Sequence, residues 1–153
     1  MVKITKKMLA NRKVILGEQY ISNGHWAANK GMIENAETQF KNEDTIKAAF
    51  PKVIFIDHKK PNVFEPLVLP DKTLTAYHKT NFINDNEYQA RAFMADDGDL
   101  LYLNEDYIPL LNGADTVYST DNTSPVFNAK IQEEVTVVIM PIKVEEKIIL
   151  KWR

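Results

Sequence analysis

Cysteine is absent from the 153 residues, which removes disulfides, thiolate zinc sites and cysteine nucleophiles together. Glycine is scarce, with five residues, and they form neither a Gly-x-Gly-x-x-Gly pattern nor a Gly-Lys-Ser/Thr phosphate loop. Ser22, Ser119 and Ser124 lack a Gly-x-Ser-x-Gly setting, so a nucleophile elbow is missing. Long apolar runs are missing too. Lys52–Ile56 and Val135–Ile142 are strand-sized, far below the ~18 residues of a membrane span. The opening Met1–Ala10 is charged, with no apolar stretch behind it, and predicts no secretory signal and a cytoplasmic setting.

Hydrophobic residues make up 44% and charged residues 26% of the chain, which suits a folded globular protein rather than a disordered one. The length fits one domain of ordinary size or two very small ones. Net charge is −2, so no global field would hold a nucleic acid, and any such binding needs a local basic face.

Hydrophobic spacing predicts a mixed architecture. Ile4–Asn11 reads as a short basic helix, with Ile4, Met8 and Leu9 inward and Lys3, Lys6 and Lys7 around it. Lys13–Leu16 reads as a strand. Ser22-Asn23-Gly24 is a turn signal that makes a hairpin of Gln19–Ile21 and His25–Ala28. Met32, Ile33, Ala36 and Phe40 predict a helix over Met32–Phe40. Asn42 or Asp44 would cap a second over Thr45–Phe50, stopped by Pro51. Val53–Ile56 has the pattern of a buried strand, and Pro61, Pro66 and Pro70 leave Asn62–Leu69 as edge strand or loop.

Strands are then expected at Thr73–His78, Tyr88–Met94, Leu100–Leu103, Thr116–Ser119, Val126–Ile131 and Glu134–Ile139. Tyr88, Ala90, Ala92 and Met94 should share a face. Asp96-Asp97-Gly98-Asp99 is a turn. Asn104 should cap a helix over Glu105–Leu111, kept short by Pro109 and ended at Gly113. The sum is an α+β fold, mainly antiparallel sheet with two to four short helices, as one domain over 1–143 with 144–153 as a strand or tail.

Catalytic and metal signatures are weak. His25, His58 and His78 include no pair at i, i+3 or i+4 and no zinc-protease pattern. The aspartates around Gly98 resemble part of a calcium loop, yet Tyr107 stands where its twelfth-position glutamate belongs. The expectation is no enzyme, no metal and no cofactor.

Three segments resemble bacterial sliding clamps, the beta subunit of the replicative DNA polymerase. Ser22-Asn23-Gly24-His25-Trp26-Ala27 is similar to the clamp's Asp-Gly-His-Arg-Leu-Ala turn and strand. Leu103-Asn104-Glu105-Asp106-Tyr107-Ile108-Pro109-Leu110-Leu111 resembles its Phe-Asn-x-x-Tyr-Leu-x-x-Leu helix. Ser124-Pro125-Val126-Phe127, followed by Val135–Lys143, resembles its C-terminus, which ends in Met-Pro-Met/Val-Arg. The last two blocks keep the family's order and spacing over about Leu100–Val144.

The resemblance implies a clamp-domain-like fold and a non-enzymatic accessory protein of DNA replication or phage–host interaction, encoded by a phage or mobile element. It implies a protein partner, bound as a linear peptide motif by Gly24, His25, Trp26, Ala27, Val138, Met140, Pro141 and Ile142. It also implies assembly of copies. Contact with double-stranded DNA, without sequence preference, would fall to Lys3, Lys6, Lys7, Arg12 and Lys13. The alternative is a phage virion or assembly subunit that self-associates through edge strands and its tail.

Overall fold

The hairpin expected around Ser22–Gly24 is present in the computed structural model, which describes residues 1–58, 67–85, 89–129, 134–143 and 150–152. Contacts divide the chain into two compact units, Met1–Val68 and Leu69–Arg153. Each is α+β or β in character, and antiparallel pairing dominates.

In the first unit, β1 (Lys13–Gly17), β2 (Tyr20–Ser22), β3 (Trp26–Asn29) and β4 (Ile54–His58) lie in the order β4-β1-β2-β3. The β1–β2 and β2–β3 pairs are antiparallel. Gly24 turns the second hairpin at φ 92°, a conformation that glycine adopts without a Cβ penalty. The β1–β4 pair is parallel, with Lys13 opposite Ile54 and Gly17 opposite His58. A parallel pair needs a crossover, which here carries α1 (Ala36–Gln39) and α2 (Glu43–Ala49). Asn42 caps α2 with a reciprocal pair of bonds. Its side chain accepts from the Thr45 amide at 3.0 Å, and the Asn42 amide donates to Thr45 Oγ1 at 3.1 Å. Ile46 anchors the helix in the core, and the Phe40 and Phe50 rings meet beside it at 5.9 Å.

Three expectations change here. Ile4–Asn11 is not a helix but a single 3-10 turn, Lys7–Leu9. Leu9 and Ala10 donate to carbonyls three residues back, and Arg12 then takes a left-handed φ of 58°, which ends any helical path. The helix over Met32–Phe40 is reduced to a 3-10 turn, Lys30–Met32, and the short α1. Between them Ile33 is extended, because its neighbours bond to Val2 in a parallel bridge: Val2 N donates to Met32 O and Glu34 N to Val2 O. Three of the four inward positions of the helical pattern hold nonetheless, since Ile33, Ala36 and Phe40 are buried while Met32 is half-buried. Finally, β4 is not a wholly buried strand. It ends the sheet order, and Ile54 is 66% exposed.

In the second unit, β5 (Thr75–Asp85), β6 (Gln89–Met94), β7 (Leu100–Asn104), β8 (Thr116–Ser119), β9 (Val126–Phe127) and β10 (Val137–Ile139) run in the order β10-β9-β8-β5-β6-β7. All these pairs are antiparallel. β5 is longer than expected because it serves two further partners. It pairs β8 at Thr75–His78 and β11 (Leu150–Trp152) at Phe82–Asn84. Its register against β6 shifts between Lys79 and Ile83. The hydroxyl of Thr80 donates to Ala92 O across that irregularity at 2.7 Å.

Phe93, Leu101, Leu103, Val117 and Ile139 are buried in this unit. Ala90, Ala92 and Tyr102 form a further cluster, with Leu100 and Ile142 packed on it. Met94 shares the strand face of Ala90 and Ala92, as expected, but is 45% exposed, because it stands at the strand's end beside the β6–β7 turn. The helix after Asn104 is a 3-10 helix, Glu105–Leu111. It is capped by the Asn104 side chain on the Asp106 amide at 2.9 Å and ended by the left-handed Asn112 and Gly113. Pro109 inside it lacks the amide that a longer α-helix would use.

The expected strand portions at 130–131, the segment 59–66, Tyr88 and 144–149 lie outside the described residues. Among the described residues, no helix is long and apolar enough to cross a membrane.

Candidate functional site: a basic-rimmed groove in the first unit

The backbone of Arg12 organises the most distinctive surface of the first unit. Its amide donates to Leu9 O at 2.8 Å, closing the N-terminal turn. Its carbonyl accepts from the Ile54 amide at 2.6 Å, fastening the start of β4. On the other side, Phe50 ends α2 and Val53 N bonds back to Phe50 O. These links bring two distant stretches of sequence together around a groove of about 420 Å³.

Leu9, Phe50, Pro51 and Val53 give the groove its apolar lining, and Lys6, Arg12 and Lys52 bring positive charge to it. All three cations are exposed, as are Lys3, Lys7 and Lys13. Among the described residues, none of the six forms an ion pair, whereas Lys47 is paired with Glu43 at 3.2 Å. Unneutralised cations beside low-dielectric side chains focus a positive potential.

The turn that carries Lys6 and Lys7 is tied to the β2–β3 hairpin. Met8 O accepts from Asn23 Nδ2 at 2.9 Å and from the Trp26 indole at 3.0 Å. Asn23 Oδ1 in turn accepts from the His25 and Trp26 amides. Asn11 Nδ2 donates to Asn23 O at 2.7 Å. The groove therefore rests on a buried polar network.

The residues expected to bind DNA are only partly gathered here. Lys6 and Arg12 line the groove; Lys3, Lys7 and Lys13 are exposed outside its lining. Of the expected peptide-binding residues, Gly24 and His25 are exposed at the hairpin tip, and Trp26 and Ala27 are each 2% exposed. These four belong to the first unit. Val138, Met140, Pro141 and Ile142 belong to the second. There Val138 pairs Phe127, Met140 is exposed, and Ile142 N donates to Tyr102 O at 2.8 Å.

Sequence reasoning missed Lys52 and Asn23. Lys52 is 40 residues from Arg12 in the chain, and only the parallel β1–β4 register brings it alongside. Asn23 was legible as a turn residue, but its burial and its hold on Met8 were not.

Acidic groups gather in the second unit. In the β6–β7 turn, the Ala95 amide donates to Asp99 O and Gly98 takes a φ of 90°. Asp99 accepts from the Tyr77 hydroxyl at 2.8 Å and from Asn122 Nδ2 at 3.0 Å. Burial first, then the bond to Asp99 and the charges of Asp99, Asp97 and Asp121, push the Tyr77 phenol well above its ordinary value. The Thr123 amide, helped by the Ser124 and Thr123 hydroxyls, holds the exposed Asp121 carboxyl below its usual range. The Asp96 side chain is fully exposed, 3.7 Å from His78 Nε2. Among the described residues, no group of three or more His, Cys, Asp or Glu is placed to hold a metal ion.

No protein-family model, curated protein or solved structure matches this chain.

Proposed function

We propose that this chain is a non-enzymatic, clamp-domain-like accessory protein that works by binding an anionic segment of a protein partner in the groove of Lys6, Arg12 and Lys52. The observation that carries this reading is the pairing of unneutralised cations with an apolar lining. Duplex DNA offers phosphates to the cations but little apolar surface beside them for Leu9, Phe50 and Val53. A peptide with a leucine or methionine beside aspartates satisfies both. The clamp-like part of the reading draws support from two of the resembling segments. Leu103–Leu111 runs from strand into capped helix, and Val126–Phe127 pairs antiparallel with Val137–Ile139. Binding of DNA by the wider strip of Lys3, Lys7 and Lys13 is the secondary reading.

The test is fluorescence anisotropy with two labelled probes, a short Asp/Leu peptide and a duplex of mixed sequence. The peptide should bind the parent protein, and Lys6→Glu with Lys52→Glu should weaken it at least about tenfold, a loss of about 1.4 kcal/mol. Equal peptide affinity in parent and variant would overturn the assignment of the groove. Duplex binding that exceeds peptide binding, with a steep salt dependence, would transfer the site to DNA.

A further inference from the structure

Resting on that partner-binding reading, we infer that one occupant of the groove is a second copy of this chain, entering with its own β6–β7 turn. The turn has the chemistry the groove asks for. Met94 is 45% exposed at the end of β6. Asp96, two residues later, projects a fully exposed carboxylate, and Asp97 follows it. An apolar side chain beside two carboxylates complements an apolar lining beside three cations.

The turn is also held in one shape before any contact. Ala95 N donates to Asp99 O, Gly98 N to Ala95 O, and Asp99 N to Asp97 Oδ1, each at 2.9–3.0 Å. Asn122 braces Asp99 from a neighbouring loop. A preorganised tip loses little conformational entropy on docking.

The contact is heterologous, since the groove of one copy takes the turn of the next and leaves its own turn free. Repetition gives a closed ring or an open chain. One short turn in one groove buries less than the ~1,200 Å² of a standard interface. Association is therefore weak, and it is screened by salt because Debye lengths shrink to a few ångströms near 1 M.

The experiment is sedimentation equilibrium of the full chain at high protein concentration, in low and high salt. Two variants change exposed side chains only. The groove variant is Lys6→Glu with Lys52→Glu, and the turn variant is Met94→Ser with Asp96→Ser. The parent should exceed the single-chain mass of 17.6 kDa in low salt and fall to it in high salt. Each variant alone should stay at the single-chain mass. Mixed in equal amounts they should form a pair, about twice that mass and no larger, because one intact groove then meets one intact turn.

A parent that stays at the single-chain mass in low salt overturns the inference. So does association retained in either variant, or a mixture that never pairs. If the parent stays single while its groove still binds the Asp/Leu peptide, the inference fails and the partner-binding reading stands. If the peptide binding fails as well, both fall.

Discussion

The carbonyl of Met8 accepts the indole N–H of Trp26 at 3.0 Å in a buried setting, 18 residues away in sequence. That bond holds the N-terminal basic turn on the β2–β3 hairpin. It makes the position of Lys6 a consequence of the hairpin rather than of local helix formation.

Trp26→Phe should destabilise the chain by about 1–2 kcal/mol, through the lost hydrogen bond and part of the ring's packing. Met8 O keeps the Asn23 amide as a donor, which limits the loss. Asn23→Ala should cost more, because that side chain makes three of the bonds in the network. The two changes together should cost more than their sum, since the carbonyl then loses both donors. Urea unfolding of the four proteins measures each term.

Arg12→Gly separates charge from fold. The arginine pays a steric penalty at φ 58°, which glycine does not. Glycine adds entropy to the unfolded chain, and the two effects nearly cancel. Stability should stay within about 1 kcal/mol of the parent by thermal or urea unfolding, while affinity for the Asp/Leu peptide falls.

Gly17 sits where no side chain fits, because a Cβ there would run into the ring of Tyr20. Gly17→Ala should destabilise by about 1–3 kcal/mol, the usual range for overpacking. Tyr20→Leu in the same chain should recover part of that loss, a coupling that a double-mutant cycle reads directly.

Alkaline titration should reveal Tyr77. Its folded value is raised above the ~10 of an unfolded tyrosine. The folded state therefore holds its proton where the unfolded state releases it. The stabilisation is complete below about pH 10 and is lost as pH rises from there through the folded value. Tyr77→Phe should flatten that decline in a series of urea unfolding curves from pH 8 to 11.

Much of this fold was legible because its signals are local. Asn42, Asn104, Ser22-Asn23-Gly24 and Asp96–Asp99 each dictate a cap or a turn through their own side chains and backbone. All four are found where expected. The helical period at Met32–Phe40 named three buried residues and missed the conformation, because the bridge between Val2 and Ile33 claims backbone groups that a helix would use. At Ile4–Asn11 the inward Ile4, Met8 and Leu9 suit a turn as well as a helix, and the left-handed Arg12 ends the path. The groove was half legible. Lys6 and Arg12 stand in a basic stretch, whereas Lys52 reaches them through a parallel strand pairing that carries no local signal.

The central claim is that the groove of Lys6, Arg12 and Lys52 is where a partner binds. Amide chemical shifts of isotopically labelled protein, followed during titration with the Asp/Leu peptide, test it most directly. The account predicts that the amides of Leu9–Lys13 and Lys52–Ile54 move together and saturably, and that high salt reverses the change. Shifts confined to His25, Met140 and Ile142, or no shifts at all, would contradict it.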